Sequence, residues 1–104
     1  MSVSNAFQTF LAEAPEHAKA WMGAVRGLDQ ASALDPKTEE LAYLAVLAAL
    51  RLTSGIPFHV ESAKKHGATR AEILGAVLVG LPAAGMAVLQ SLPVALDAFD
   101  VQPG

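Results

Sequence analysis

Asp35-Pro36-Lys37-Thr38-Glu39-Glu40-Leu41-Ala42-Tyr43-Leu44-Ala45-Val46-Leu47-Ala48-Ala49-Leu50-Arg51 is the stretch that decides the fold. It opens with an N-cap carboxylate followed by proline at the first helical position, a strong helix start. Glu39 and Glu40 fall in or near the first turn, where negative charge suits the helix dipole. From 41 to 50 every residue is apolar or Tyr43. An α-helix apolar on all its faces is a helix wrapped on nearly all sides. Arg51 ends the run.

The flanks read as further helices. Phe7, Phe10 and Leu11 recur at helical spacing and predict a short amphipathic helix over 5–14. Pro15 opens a second helix with Ala18, Trp21, Met22 and Val25 on one face, and Gly27 suits its C-terminal stop. Residues 30–34 read as a linker. After Arg51, Thr53-Ser54-Gly55 is turn chemistry, and Pro57 is tolerated in the first turn of a helix that stops at Gly67. Thr69-Arg70-Ala71-Glu72 has the capping-box pattern, and Ile73, Val77 and Leu81 follow as a core face. Gly80-Leu81-Pro82 breaks or bends the chain. A last helix is expected over 83–98, carrying Met86, Leu89, Val94 and Ala95 and kinked at Pro93, with a frayed tail over 101–104. No alternating strand pattern and no internal repeat is present. The expectation is an all-α bundle of five to six helices in a single domain over 1–104.

The chain has 104 residues, of which 53% are hydrophobic and 16% charged, with a net charge of −3. A core this small cannot hide that much apolar surface, and a partner carrying the same surface is the simplest cover. A homo-oligomer is therefore expected. Lys64-Lys65 is the one adjacent basic pair, so no basic stripe exists for nucleic acid. The uncharged run 73–89 approaches a membrane span in length, but Gly75, Gly80, Pro82 and Gly85 interrupt it, and two packed helices are the better reading. No basic region followed by a long apolar stretch opens the chain, so no signal peptide is read. With no cysteine, thiol nucleophiles, thiolate metal sites and disulfides are excluded. A cytoplasmic location is the expectation, and absent cysteine fits it.

Among titratable residues, His59 stands between Phe58 and Val60, a setting that equally suits a structural histidine. His66 and His17 read as exposed. A metal held by His59, His66 and Glu61 is not expected, because seven helical residues separate the two rings by about 10.5 Å along the axis. Met22 and Met86 read as core fillers, and Trp21 as core or interface. No cofactor is expected.

Three segments together carry a resemblance: 39–47 (Glu-Glu-Leu-Ala-Tyr-Leu-Ala-Val-Leu), 58–63 (Phe-His-Val-Glu-Ser-Ala) and 67–73 (Gly-Ala-Thr-Arg-Ala-Glu-Ile). In order and spacing they resemble the carboxymuconolactone decarboxylase family, which includes the alkylhydroperoxidase D-like proteins. The resemblance covers roughly 34–99 and implies a helical bundle of that type, assembled as a trimer or hexamer. The peroxidase-like branch of the family uses Cys-x-x-Cys four residues before a histidine, with an upstream relay glutamate. Aligned on His59, the cysteine positions fall on Leu52 and Gly55, and Glu40 falls at the relay position. Leucine and glycine cannot attack a peroxide or form the resolving disulfide, so cysteine-dependent peroxidase activity is not expected.

The resemblance instead implies the decarboxylase branch: loss of carbon dioxide from a carboxylated lactone, then protonation of the resulting carbanion. His59 would be the catalytic acid, Glu40 would orient its ring or relay a proton, and Arg51 would bind a substrate carboxylate. The apolar helices would supply dry walls. A non-enzymatic module that holds an apolar carboxylate on the same scaffold is the alternative.

Overall fold

The computed structural model describes residues 3–101, and all of the expected tail over 101–104 except Val101 lies outside them. Seven α-helices follow in order: α1 (Asn5–Glu13), α2 (Pro15–Ala31), α3 (Pro36–Leu50), α4 (Ile56–Lys65), α5 (Arg70–Leu78), α6 (Leu81–Ala84) and α7 (Ser91–Asp100). Short 3-10 turns occupy Thr53–Gly55 and Met86–Gln90. No strand occurs among the described residues.

The helix starts follow from side-chain caps. Ser4 accepts from the Phe7 amide at 3.2 Å and Asp35 from the Thr38 amide at 2.9 Å. Thr69 and Glu72 close a reciprocal capping box, with the Glu72 amide donating to Thr69 Oγ1 at 3.1 Å and the Thr69 amide donating to Glu72 Oε1 at 2.9 Å. At the far end of α4, Gly67 takes φ +92°, the left-handed turn that ends a helix. The Ala68 amide then reaches back to the Ala63 carbonyl at 3.0 Å.

Helices α3, α4, α7 and α5 form a ring in which each packs on the next, α5 closing back onto α3. Their inward faces make one core: Leu44, Leu47 and Ala48 from α3, Ile56, Val60 and Ala63 from α4, Ile73 and Val77 from α5, and Ala95 from α7. Val88 of the second 3-10 turn fills one end. Ser91 is fully buried beside this core, and its hydroxyl has no hydrogen-bond partner. Ion pairs lace the rim: Lys37 to Glu72 at 3.0 Å, and Arg70 to both Asp100 oxygens at 2.9 and 3.0 Å. Lys64 Nζ donates to the Phe99 carbonyl at 2.6 Å and stands over the Phe99 ring.

Helices α1 and α2 pack on each other and touch the four-helix body only sparsely. Ala18 is the one α2 residue buried.

Five expectations need correction. Gly27 does not stop α2, which continues to Ala31. Nothing at Gly27 requires a left-handed turn, so it is simply an unhindered helical residue. The single helix expected over 83–98 is three pieces, broken where Gly85 takes φ +80°, ψ −171°. Pro93 produces no kink, because α7 begins at Ser91 and the proline falls in its first turn. Within one chain α3 is not wrapped on all sides: Ala42, Tyr43, Val46, Ala49 and Leu50 are exposed. Met86 is exposed rather than a core filler.

Candidate functional site

Glu40 sits just past the first turn of α3, and His59 lies one turn into α4. Because α3 and α4 pack together, the two side chains meet across the helix pair, 19 residues apart in sequence. His59 Nδ1 and Glu40 Oε1 are 2.9 Å apart. Their side chains are 25% and 17% exposed, sheltered but not sealed from solvent.

Burial pushes the Glu40 carboxyl up, but hydrogen bonds from His59 and Ser62, with the charge of His59 and His66, outweigh it and hold the group below its ordinary value of 4.5. An ionised carboxylate can only accept, so Nδ1 of His59 carries the hydrogen and Nε2 is the nitrogen left for other partners.

Two aromatic rings complete the surroundings. Tyr43 lies against the imidazole with ring centroids 4.4 Å apart, and Phe58 meets it edge-on at 5.2 Å. Tyr43 follows Glu40 by three residues and so shares its face of α3. Its place beside His59 is the feature of this cluster that a reading of 41–50 as a uniform apolar run overlooks.

Arg51 stands apart. It caps the C-terminus of α3 in the left-handed region, with φ +59° and ψ +34°, and is exposed. It lies eleven residues from Glu40, roughly 16 Å along the axis. No hydrogen bond or salt bridge joins it to Glu40 or His59 among the described residues. The structure therefore brings together two of the three residues singled out from sequence.

The other histidines stay outside this cluster. His66 Nδ1 faces the Ser62 carbonyl at 2.8 Å on the exposed end of α4, and His17 is exposed on α2. Two surface hollows are lined by other residues. One lies between the turn before α4 and α7, at Thr53, Pro57, Pro93 and Asp97. The other lies between α1 and α2, at Phe10, His17, Ala20 and Trp21. No helix among the described residues is long and apolar enough to cross a membrane.

Comparison with known proteins bears on identity. No curated protein and no solved structure matches the chain. The sequence model of the carboxymuconolactone decarboxylase family matches residues 15–97, taking in α2 to α6 and most of α7, and with them both members of the His59–Glu40 pair. Over most of its length, then, this chain is a member of the carboxymuconolactone decarboxylase family.

Proposed function

We propose that this protein is a small-molecule lyase of the decarboxylase kind, acting on a carboxylated lactone or a related unsaturated carboxylate. The observation that carries the reading is the 2.9 Å contact between His59 Nδ1 and Glu40 Oε1. It sets the tautomer and steadies the ring, leaving Nε2 free to face a substrate.

In the proposed reaction the bond between the ring carbon and the carboxylate carbon breaks. Carbon dioxide leaves, and the electron pair stays on the ring carbon, delocalised into the adjoining unsaturated carbonyl. His59, protonated at Nε2, delivers its proton to that carbon and is recharged from water. Glu40 accepts the Nδ1 hydrogen throughout and balances the imidazolium charge. Tyr43 and Phe58 supply flat apolar faces against which an unsaturated ring would rest. Arg51 would meet a substrate carboxylate only if the ligand extended along α3, and its role is the more remote part of the proposal. The absence of cysteine leaves no thiol for peroxide reduction.

The test is His59→Ala assayed with carboxymuconolactone and related carboxylactones, release of carbon dioxide being the readout. Turnover should fall by at least about 100-fold, the lower end for loss of a general acid, with helicity and assembly unchanged. Undiminished turnover would remove His59 from the chemistry. A ligand that raises Tm but is never converted would favour the binding module.

A further inference from the structure

Helices α4 and α7 pack along a seam that opens, at the starts of both, into a hollow of about 770 Å³. That volume falls within the roughly 300–1,000 Å³ of small-molecule sites. Pro57, Pro93 and Val94 wall the hollow, and Thr53, Gln90 and Asp97 supply polar groups. None of its lining residues is basic. It is separate from the His59 cluster. Pro57 and His59 are two residues apart on α4 and so point about 200° apart around its axis.

Two carboxylates stand along this seam without partners. Asp97 lines the hollow, is exposed, and enters no ion pair among the described residues. Glu61 lies one turn along α4 from Pro57, on the same face. Its Oε2 is shielded from solvent yet has no hydrogen-bond partner among the described residues. A carboxylate can only accept, so what both groups lack is a donor. Leaving a shielded oxygen without one is costly. Lys64, the next residue on that face of α4, does not supply it. Its Nζ donates to the Phe99 carbonyl at 2.6 Å and lies over the Phe99 ring.

The helix starts decide the sign of a ligand. A helix N-terminus ordinarily attracts anions through its free amides. Here both helices continue directly from 3-10 turns. The Ile56 amide donates to the Thr53 carbonyl, and the Ser91 amide to the carbonyls of Val88 and Leu89. Pro57 and Pro93 then occupy first-turn positions with no N–H at all. An anion entering the hollow would meet Asp97 and few donors. The hollow is rich in acceptors.

We propose that this hollow is a ligand site distinct from the His59 cluster, and that it takes an organic ammonium carrying an apolar body. The nitrogen lies towards Asp97 and the Glu61 side of the seam, and the hydrocarbon rests on Pro57, Pro93 and Val94. An ammonium brings three donors and no acceptor, the complement of what the hollow holds. The fold makes the same kind of contact one turn farther along the seam, where the Lys64 ammonium finds a carbonyl and an aromatic face. The site rests on none of the acid–base chemistry proposed for His59.

The test is a titration of the isotope-labelled chain with hexylammonium chloride, followed by amide chemical shifts. The amides of Thr53, Asp97 and Ala98 should move and saturate, while those of Glu40 and Tyr43 stay in place. Asp97→Asn should weaken binding about 5-fold, the upper range for an exposed ion pair. Asp97 is exposed and unpaired among the described residues, so this variant should keep the parent's far-UV circular dichroism. Glu61→Gln is the second variant and should weaken binding as well. Hexanol, of the same length but uncharged, should bind more weakly than the amine, and hexanoate should leave these amides unmoved. Shifts that do not saturate, or that fall only elsewhere, would overturn the proposal. So would hexanol binding as tightly as the amine, or undiminished binding by Asp97→Asn. Calcium chloride moving the same amides as strongly would overturn it too, since a bare pair of carboxylates would then suffice. Turnover enters none of these readouts, so this site and the proposed lyase chemistry fail separately.

Discussion

The contact between His59 and Glu40 constrains both partners and ties stability to pH. Glu40 is held below its ordinary value in the folded chain. A carboxyl with a lowered folded pKa contributes stability that is full above its unfolded value and lost as the pH falls through the folded one. For Glu40 that window opens at 4.5 and extends below it. Thermal unfolding followed from pH 7 to pH 3 should therefore show a shallower acid decline in Glu40→Gln than in the unaltered chain. The flattening should be partial, because hydrogen bonds also hold Asp35, Glu72 and Asp100 low. Two superimposable curves would mean that the bond does not form in solution.

Arg51 offers a second test at this scale. A left-handed backbone costs an ordinary L-residue about 1–2 kcal/mol, yet arginine occupies that conformation here. Arg51→Gly should raise unfolding stability by about 1 kcal/mol. If the guanidinium serves a ligand carboxylate, the same change should weaken ligand binding, which isothermal titration would detect. The pair and this arginine were not equally legible in sequence. The spacing of 19 residues, with the family resemblance, pointed to Glu40 as the partner of His59. Arg51 is near His59 only along the chain, and eleven residues of helix carry it away from Glu40.

At the scale of elements, caps were legible because each is a local exchange of hydrogen bonds. Asp35, Thr69 and Gly67 act as their sequence contexts imply. Breaks were less so, because a glycine or proline ends a helix only where its surroundings demand it. Gly27 lies inside α2, and Pro93 is absorbed into the first turn of α7, whereas Gly85 does separate α6 from the next turn. Gly85 has φ +80° and ψ −171°, a region almost closed to other residues, and open space surrounds the position where a Cβ would sit. The cost of Gly85→Ala is therefore backbone strain alone, about 1–3 kcal/mol. Urea denaturation should show that loss at unchanged m-value. An alanine variant as stable as the parent would mean that the break is free to adopt another conformation.

For the molecule as a whole, the all-helical class followed from the 41–50 run and its flanking caps, but the separateness of the α1–α2 arm did not. Amphipathic periodicity says which face of α2 is apolar without saying what covers it. The same limit applies to α3, whose expected wrapping on all sides is met on one side only in a single chain. If association supplies the rest, Tm must depend on concentration, since mass action favours the folded assembly. Diluting the protein 100-fold should lower Tm by several degrees, and emission from Trp21, the only tryptophan, should shift to the red. A constant Tm and constant emission would describe a chain that stands alone.

The buried Ser91 hydroxyl remains, without a partner at the mouth of α7. An unmet donor in an apolar interior is the point at which water gains most by entering. The first fluctuations of this bundle should accordingly loosen the N-terminal turn of α7, with amide protons there exchanging sooner than those around Val60 on α4.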